Sequence, residues 1–397
     1  MTTRTQVAII GAGPAGLMLG RLLEINGIDS VILENHSKDY VIDRVRAGVL
    51  EQGTVDLMIA SGVGERLQRE GLRHDGVWLA FNGDRHHINF RDLTGQSIVV
   101  YGQNEVLKDY IAACESSSHP PYFEVSDVSV DEIQSATPKV RFRKDGIDQE
   151  LICDFIAGCD GFHGICRLAV PASHRHCYEK VYPFAWLGIL ATAAPSSEEL
   201  VYALHDRGFA LFSMRSPQVT RLYLQCSPDE DITQWPDHRI WKELQTRLET
   251  SDGWRINQGP IFQKGVTPMR SFVVDPMRYG NLFLAGDSAH IVPPTGAKGL
   301  NLAAADIRVL AHAIVAYYKT GKSEELTNYS STCLRRIWKA QRFSWWMTSM
   351  LHRFGGENDF DYHRQIAELD YVTSSPAGMT CLAENYVGLP IDTPIPV

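Results

Sequence analysis

The run Val7-Ala8-Ile9-Ile10 is apolar, short and bounded by polar residues and glycine, which predicts a buried strand over Gln6 to Ile10. Leu19, Leu22 and Leu23 then recur at helical spacing and predict a helix over Ala15 to Asn26 with that stripe turned inward. A second apolar run, Ser30 to Glu34, completes a βαβ unit. Gly76 to Phe81 and Arg85 to Phe90 read as short strands joined at the turn-like Asn82-Gly83-Asp84, and Ser97 to Tyr101 as another. Lys139 to Phe142 and Glu150 to Ala157 predict a hairpin that returns to the first unit. In the middle of the chain the pattern changes. Glu199 to Leu204, Gly208 to Ser216 and Thr220 to Ser227 read as consecutive strands with tight connections, hence an antiparallel sheet and a second domain. After Pro268 the first unit resumes. From Leu302 onward the pattern is helical, over Asp306 to Tyr318 and then Leu334 to Arg353. The tail, Asn385 to Val397, carries three prolines and is expected to be mostly extended.

Two glycine-rich segments sharpen this picture. Gly11-Ala12-Gly13-Pro14-Ala15-Gly16 stands between the first strand and helix. Gly11 suits a tight turn, Gly13 close approach of a pyrophosphate, and Gly16 helix-on-strand packing, with the helix N-terminus facing the phosphates. Glu34, at the end of the second strand, suits a ribose diol. Far downstream, Leu282-Phe283-Leu284-Ala285-Gly286-Asp287 precedes Val292-Pro293-Pro294-Thr295-Gly296-Ala297-Lys298-Gly299-Leu300-Asn301. Asp287 can hold a ribityl chain, and the backbone N–H groups around Gly299, Leu300 and Asn301 suit a flavin pyrimidine edge. The two segments together predict one FAD held along the whole chain. No second GxGxxG exists, so a pyridine nucleotide would bind transiently, without a Rossmann unit of its own. The expected fold is mixed α/β: a Rossmann-like FAD-binding domain (1–72, 97–175 and 268–318) with an inserted antiparallel substrate sheet (73–96 and 176–267). A C-terminal helical region (319–397) follows.

Composition narrows the alternatives. The chain has 397 residues, 44% of them hydrophobic, and a net charge of −9. That is enough for two or three packed units and argues against a nucleic-acid or anionic-membrane surface. No run reaches the roughly 20 apolar residues of a membrane span. No signal peptide is read at the N-terminus, and the eight cysteines are scattered without zinc-ligand spacing. A cytosolic protein with free thiols and no metal is expected.

A third marker, Cys159-Asp160-Gly161-Phe162-His163-Gly164, resembles the Asp-Gly motif of the flavin-dependent aromatic hydroxylases, which serves FAD and NAD(P)H together. Longer stretches resemble the branch of that family acting on 4-hydroxybenzoate: Arg44 to Gly53, Tyr101-Gly102-Gln103, Arg270 to Val274, Ala289 to Ala304, Leu334 to Thr348 and Glu384 to Pro390. The resemblance spans essentially the whole chain. It implies hydroxylation of 4-hydroxybenzoate to 3,4-dihydroxybenzoate with NAD(P)H and O2, through a flavin C4a-hydroperoxide, in a cytoplasmic homodimer. It adds Arg44, Arg46, Gln103, Asp160 and Arg221 to the FAD contacts, and suggests Arg44, Arg46, Tyr40, His163 and Arg270 for NAD(P)H. Where NADPH-preferring members carry a basic residue this chain has Asn35, with His36 and Lys38 close by; NADPH with NADH tolerated is the reading.

The middle strands carry the substrate chemistry. Alternation puts Ser213 and Arg215 on one face, and Arg221, Tyr223 and Gln225 on one face of the next strand. Such a face suits a small carboxylate gripped by arginine, or an ordinary solvated surface. The family resemblance implies the first: Ser213, Arg215 and Tyr223 on the carboxylate, Tyr202 and the Pro294 carbonyl on the phenol, Tyr386 behind Tyr202, and His74 ending a proton relay to solvent. Ala185, where glycine is common, raises the question of ring fit. Alternatives are a hydroxylase of 3-hydroxybenzoate or 3,4-dihydroxybenzoate, a non-catalytic FAD-binding sensor, and a peroxide-releasing oxidase or reductase.

Overall fold

A computed structural model describes residues 2–43, 48–117, 120–356 and 358–397. The run Val7–Ile10 is wholly buried and lies between Ser30–Leu33 and Phe155–Gly158, all three parallel; Leu282–Leu284 and Arg278–Tyr279 complete a five-stranded sheet. Burial on both faces explains why these strands read as continuous apolar runs rather than alternating ones. Helix Pro14–Ile25 covers one face through Leu19, Leu22 and Leu23. Helix Gly299–Thr320 packs between it and the long helix Glu324–Leu351.

Helix Gly299–Thr320 corrects one expectation. It is 22 residues long with a mean hydropathy of 1.4, long and apolar enough to pass for a membrane span. Asp306 and Arg308 interrupt its apolar run, and most of the helix is buried inside the protein, as in the central helix of a packed core.

A second sheet of eight strands runs in the order His290–Ile291, Ile261–Asp275, His176–Thr192, Val219–Cys226, Ala210–Ser216, Val201–Ala203, Gly76–Phe81, Asp84–Asn89. It is not purely antiparallel as expected: Val201–Ala203 pairs in parallel with Gly76–Phe81. Its two longest strands, His176–Thr192 and Ile261–Asp275, were not legible as strands. The first is exposed at its start and buried over most of the rest, the second has few buried positions before Met269, and neither keeps a steady alternation. The turn between Gly76–Phe81 and Asp84–Asn89 is Asn82-Gly83, both at positive φ (52° and 83°), as a two-residue hairpin turn requires.

The predicted strand Glu150 to Ala157 is two. Ile147–Ile152 pairs with Lys139–Lys144 in a separate four-stranded sheet, and Phe155–Gly158 enters the five-stranded one. The break falls at Cys153 and Asp154. The Asp154 carboxylate leaves the strand to accept from Arg4 (2.6 Å) and Tyr318 (2.7 Å). Two further helices, Asp359–Ser374 and Pro376–Val387, precede the tail. Helix therefore continues through Val387 where an extended tail was expected, and only 388–397 lack regular structure.

The eight-stranded sheet separates two apolar clusters. Leu187, Ile189, Phe212, Leu222 and Leu224 pack from one face onto Ile240, Trp241, Leu244 and Leu248 of helix Asp237–Leu248. Trp186, Tyr202, Leu211 and Tyr223 pack from the other face toward Phe343, Met347 and Tyr386 of the C-terminal helices. The polar residues singled out in the middle strands belong to this second face.

Candidate active site

The three glycine markers converge. Gly11 has φ +104°, and a Cβ there would lie 2.4 Å from the Cys159 carbonyl oxygen, so the first motif touches the backbone beside Asp160. A Cβ on Gly16 would lie 1.9 Å from the Gly11 carbonyl oxygen; only glycine lets the helix start this close to the turn. A Cβ on Gly13 would meet nothing within 4 Å, leaving the helix N-terminus open toward solvent. A Cβ on Gly286 would lie 3.5 Å from the Ala15 Cβ, so the distant Gly-Asp pair lies beside the first motif.

The donors and acceptors around this cradle fit FAD. Glu34 accepts from Ala12 N–H (2.8 Å) and His36 N–H (2.9 Å), which fixes its carboxylate while lone pairs remain for a diol. Asp160 is half-buried; one oxygen accepts from Cys166 N–H (2.8 Å) and the other, Oδ1, is buried and makes no hydrogen bond among the described residues. Burial pushes its carboxyl up, partly offset by that amide. Gln103 opens helix Gln103–Glu115, half-buried. Asp287 is half-buried after Gly286. Gly299, Leu300 and Asn301 form the first turn of their helix, where N–H groups have no intrahelical acceptor. The Asn301 side chain is fully engaged: it accepts from Glu51 N–H (2.9 Å) and Thr54 (2.7 Å) and donates to Val49 (2.9 Å) and Ala297 (2.8 Å). That fixes the first turn of helix Gly299–Thr320 against Val49, Glu51 and Thr54.

On the second face of the large sheet the register aligns Tyr202 with Leu211, Leu211 with Tyr223, and Tyr223 with Gly188; Ser213 lies opposite Arg221. A Cβ on Gly188 would lie 2.9 Å from an Arg221 guanidinium nitrogen, so a missing side chain there makes room for the arginine. The Arg221 guanidinium lies 4.9 Å from the Tyr223 ring centroid, and Arg215, half-buried, reaches the Tyr223 hydroxyl. Burial alone would push the Tyr223 phenol up, but Arg221 and Arg215 outweigh it and hold it below the usual tyrosine value. Burial depresses Arg215, with Tyr223 working against the shift. Among the described residues no carboxylate pairs with Arg221. Ala185 lies opposite Cys226, on the face turned away from this site, so its methyl does not touch the ring position.

Tyr202 and Tyr386 share a 2.6 Å hydrogen bond between buried hydroxyls, 184 residues apart in the chain. Burial pushes both phenols up, so both stay protonated near neutrality. The Pro294 carbonyl accepts from Ala297 N–H (2.9 Å) and keeps a second lone pair. His74 is buried, and neither ring nitrogen hydrogen-bonds to protein; the structure shows no direct bond from it to Tyr386.

Burial holds the His74 imidazole at about 4, against the opposing effect of Asp75. An unfolded histidine titrates near about 6.5. Between these values the unfolded chain binds the proton that folded His74 refuses, so stability falls as the pH drops through that window. At about 1.4 kcal/mol per unit, His74 sets an upper bound of about 3 kcal/mol. His352, held by burial at about 3, acts in the same direction. His290 is opposite in sign: burial pulls it down, but Asp306 at 2.6 Å outweighs this, so its contribution is lost as the pH rises. The thermal midpoint is therefore expected to fall from neutrality to pH about 4. His74→Asn should flatten that limb; an unchanged slope in the variant would refute the assignment.

Of the residues considered for NAD(P)H, Arg270 and exposed His163 flank Phe162. The guanidinium stands 4.7 Å and the imidazole 5.1 Å from that ring. Tyr40 is exposed and stacks on His36 at 4.0 Å. Arg44 and Arg46 lie outside the described residues.

One charged group escaped the sequence reading. Buried Lys298 donates to Glu51 (2.6 Å) and to the Tyr386 carbonyl (3.1 Å), and Arg336 donates to the other Glu51 oxygen (3.1 Å). Both Glu51 and Lys298 fall in stretches singled out above. Their pairing over 247 residues has no local signal.

Comparison with known proteins agrees with this geometry. A family model described as an FAD binding domain matches residues 4–344. A p-hydroxybenzoate hydroxylase of Acinetobacter baylyi is 50% identical over 98% of this chain and 97% of its own length. A 6-methylpretetramide 4-monooxygenase of Streptomyces rimosus is 26% identical over 78% of this chain and 75% of its own. Among solved structures, a p-nitrophenol 4-monooxygenase from Pseudomonas putida superposes with a TM-score of 0.83 over 98% of this chain and 100% of its own, at 18% identity. That likeness speaks for the fold alone. With the family match over most of its length and a relative half identical to it from end to end, the chain belongs to the FAD-dependent aromatic monooxygenases.

Proposed function

We propose that this monooxygenase hydroxylates 4-hydroxybenzoate to 3,4-dihydroxybenzoate, using NAD(P)H and O2. The observation that carries the reading is the pairing of two buried ends on one sheet face. Arg215 and Arg221 converge on Tyr223 at one, and the Tyr202–Tyr386 hydroxyl pair stands at the other. A ring with a carboxylate and a phenol in para positions matches both. The name of the Acinetobacter relative points to the same substrate.

The carboxylate is anchored by Arg215 with Ser213 and Tyr223, bringing a negative charge to a pocket that holds two guanidiniums. The phenol then meets Tyr202 and the Pro294 carbonyl. Bound FAD, reduced by NAD(P)H, supplies the activated oxygen. The chain's own task is to make the ring carbon beside the phenol electron-rich, which a phenolate does and a neutral phenol does poorly. Tyr202 accepts the phenolic proton while donating its own to Tyr386, and His74 is the proposed exit toward solvent. Arg215, Arg221 and Lys298 add positive potential that favours the phenolate. Burial of both tyrosines keeps bulk water from the reacting ring.

For the nucleotide, NADPH with NADH tolerated remains the proposal: Asn35 offers no charge to a 2′-phosphate, which admits NADH, while His36 and Lys38 stand close by in the chain. His163 and Arg270 around Phe162, with Arg44, Arg46 and Tyr40, form the proposed docking region. The three-part division into FAD domain, inserted sheet and C-terminal helices is proposed with the boundaries given above. A homodimer through the C-terminal region is supported by Tyr178, Val181, Trp338 and Trp345, which are 50%, 64%, 45% and 46% exposed. Tyr178 and Trp338 touch edge to face at 5.4 Å. Replacing Trp338 and Trp345 by glutamate is expected to convert a dimer to monomer in sedimentation; an unchanged sedimentation coefficient would move the interface elsewhere.

The test of function follows NADPH and NADH oxidation by the FAD-loaded protein in air, with and without 4-hydroxybenzoate, while measuring 3,4-dihydroxybenzoate and peroxide. Strong stimulation with stoichiometric catechol is expected. Stimulation yielding mostly peroxide would reassign the substrate, and no stimulation would overturn the site.

A further inference from the structure

Ser344, Thr348 and His352 lie four residues apart along and just beyond helix Glu324–Leu351, each 0% exposed, on a face that otherwise carries Phe343, Met347 and Leu351. A polar stripe inside an apolar face is costly unless its groups are bonded; the Ser344 hydroxyl has no partner among the described residues, whereas Thr348 and His352 are bonded. The Thr348 hydroxyl gives its hydrogen to the Ser344 carbonyl (2.7 Å) and so accepts from Thr295 (2.9 Å), the residue after Pro294. His352 Nδ1–H donates to the Thr348 carbonyl (3.0 Å), which leaves Nε2 as an acceptor; the Trp186 indole N–H donates to it at 2.7 Å. The imidazole is stacked against Phe184 (4.7 Å, 13°) and Phe209 (4.3 Å, 20°), so it cannot turn. Trp186 in turn stacks on Phe209 (5.0 Å) and packs on Tyr223 (4.7 Å), on the sheet face that holds Tyr202.

We propose that His352 is a positioning residue for the substrate ring: its Nε2 fixes the plane of the Trp186 indole, which with Tyr223 and Phe209 forms the wall against which the ring is placed. The inference rests on the substrate reading above and deepens it. No other described acceptor hydrogen-bonds the indole N–H, and rotation of Trp186 about its side-chain bonds would change the width of the site without touching either polar end. Burial keeps the imidazole neutral down to about 3, so the acceptor persists across the working pH range. The stripe also ties this wall to the Pro294–Thr295 loop, so the ring wall and the carbonyl proposed to face the phenol share one hydrogen-bonded strut.

The test compares His352→Leu, which keeps bulk but offers no acceptor, with His352→Gln, whose carboxamide can both accept from the indole and donate to Thr348. In FAD-loaded protein, His352→Leu is expected to raise the dissociation constant for 4-hydroxybenzoate about tenfold, the size expected when a buried donor loses its acceptor. Catechol formed per NAD(P)H should fall below half, while KM for NAD(P)H and FAD content stay near the parent values. His352→Gln should recover most of both effects. Parent-like binding and coupling in His352→Leu would overturn the proposal, as would a glutamine variant no better than the leucine one, since the role would then be packing alone. Should the parent protein itself ignore 4-hydroxybenzoate, the substrate reading fails, and the tether is judged separately by ¹⁵N-indole resonances. The Trp186 signal, assigned with Trp186→Phe, should move upfield in His352→Leu and return in His352→Gln; an unmoved signal would overturn the tether.

Discussion

Arg215→Ala is expected to weaken 4-hydroxybenzoate binding by roughly a hundredfold to a thousandfold. Arg215 is half-buried beside Tyr223 and Arg221, so two guanidiniums share one pocket. Burial already disfavours the charge on Arg215, yet a guanidinium does not deprotonate in a protein. A carboxylate brought into this pocket accepts two parallel N–H bonds from that fork. Truncating one partner of a buried, hydrogen-bonded charge pair costs about 2–5 kcal/mol. At about 1.4 kcal/mol per decade this spans the stated range. Arg215→Lys keeps the charge without the fork and should fall between parent and alanine. Quenching of flavin fluorescence on titration with 4-hydroxybenzoate reads all three. Because Arg221 lies close by, FAD content must be measured in each. A parent-like dissociation constant in Arg215→Ala, with FAD retained, would remove the carboxylate from this end of the site.

Tyr202→Phe is expected to leave substrate binding within a fewfold of the parent and to reduce catechol formation by about a hundredfold or more, the range of a lost general base. NAD(P)H oxidation should continue and appear as hydrogen peroxide. The phenylalanine ring keeps the contact with Phe209, 6.1 Å between centroids, so the wall survives. What disappears is the hydroxyl that stands 2.6 Å from Tyr386. Both phenols are held protonated by burial, so the pair works as a wire of neutral hydroxyls, each accepting one proton as it gives another. Without the first member the substrate keeps its phenolic proton and its ring stays a poor nucleophile, while oxygen is still consumed. The assay counts 3,4-dihydroxybenzoate and peroxide against NAD(P)H consumed. A parent-like product ratio would show that Tyr202 does not handle the proton.

Strand alternation made much of this site legible in advance. Arg221 and Tyr223 share one face as expected, and Leu222 and Leu224 point the other way, onto helix Asp237–Leu248, because the period of two holds wherever a strand is regular; that Ser213 lies opposite Arg221 came from the register of the sheet. The same rule settles the question raised by Ala185, once its partner Cys226 is known. The parallel pairing that sets Tyr202 beside Leu79 was not legible, since it joins segments from distant parts of the chain with no turn between them. Nor was the strand break at Cys153 and Asp154, which depends on what Arg4 and Tyr318 offer the Asp154 side chain.

The amino-acid sequence by itself determined the cofactor class. Gly11, Gly16 and the Gly286-Asp287 pair answer to backbone geometry within a few residues, and local geometry is written locally. The tertiary structure alone decided which buried side chains meet. Tyr202 reaches Tyr386 across 184 residues, Lys298 reaches Glu51 across 247, and Trp186 reaches His352 across 166. Each of these groups would be costly to bury alone. Only the packing of the C-terminal helices against the large sheet brings their partners within hydrogen-bonding distance, and no pattern along the chain records that packing.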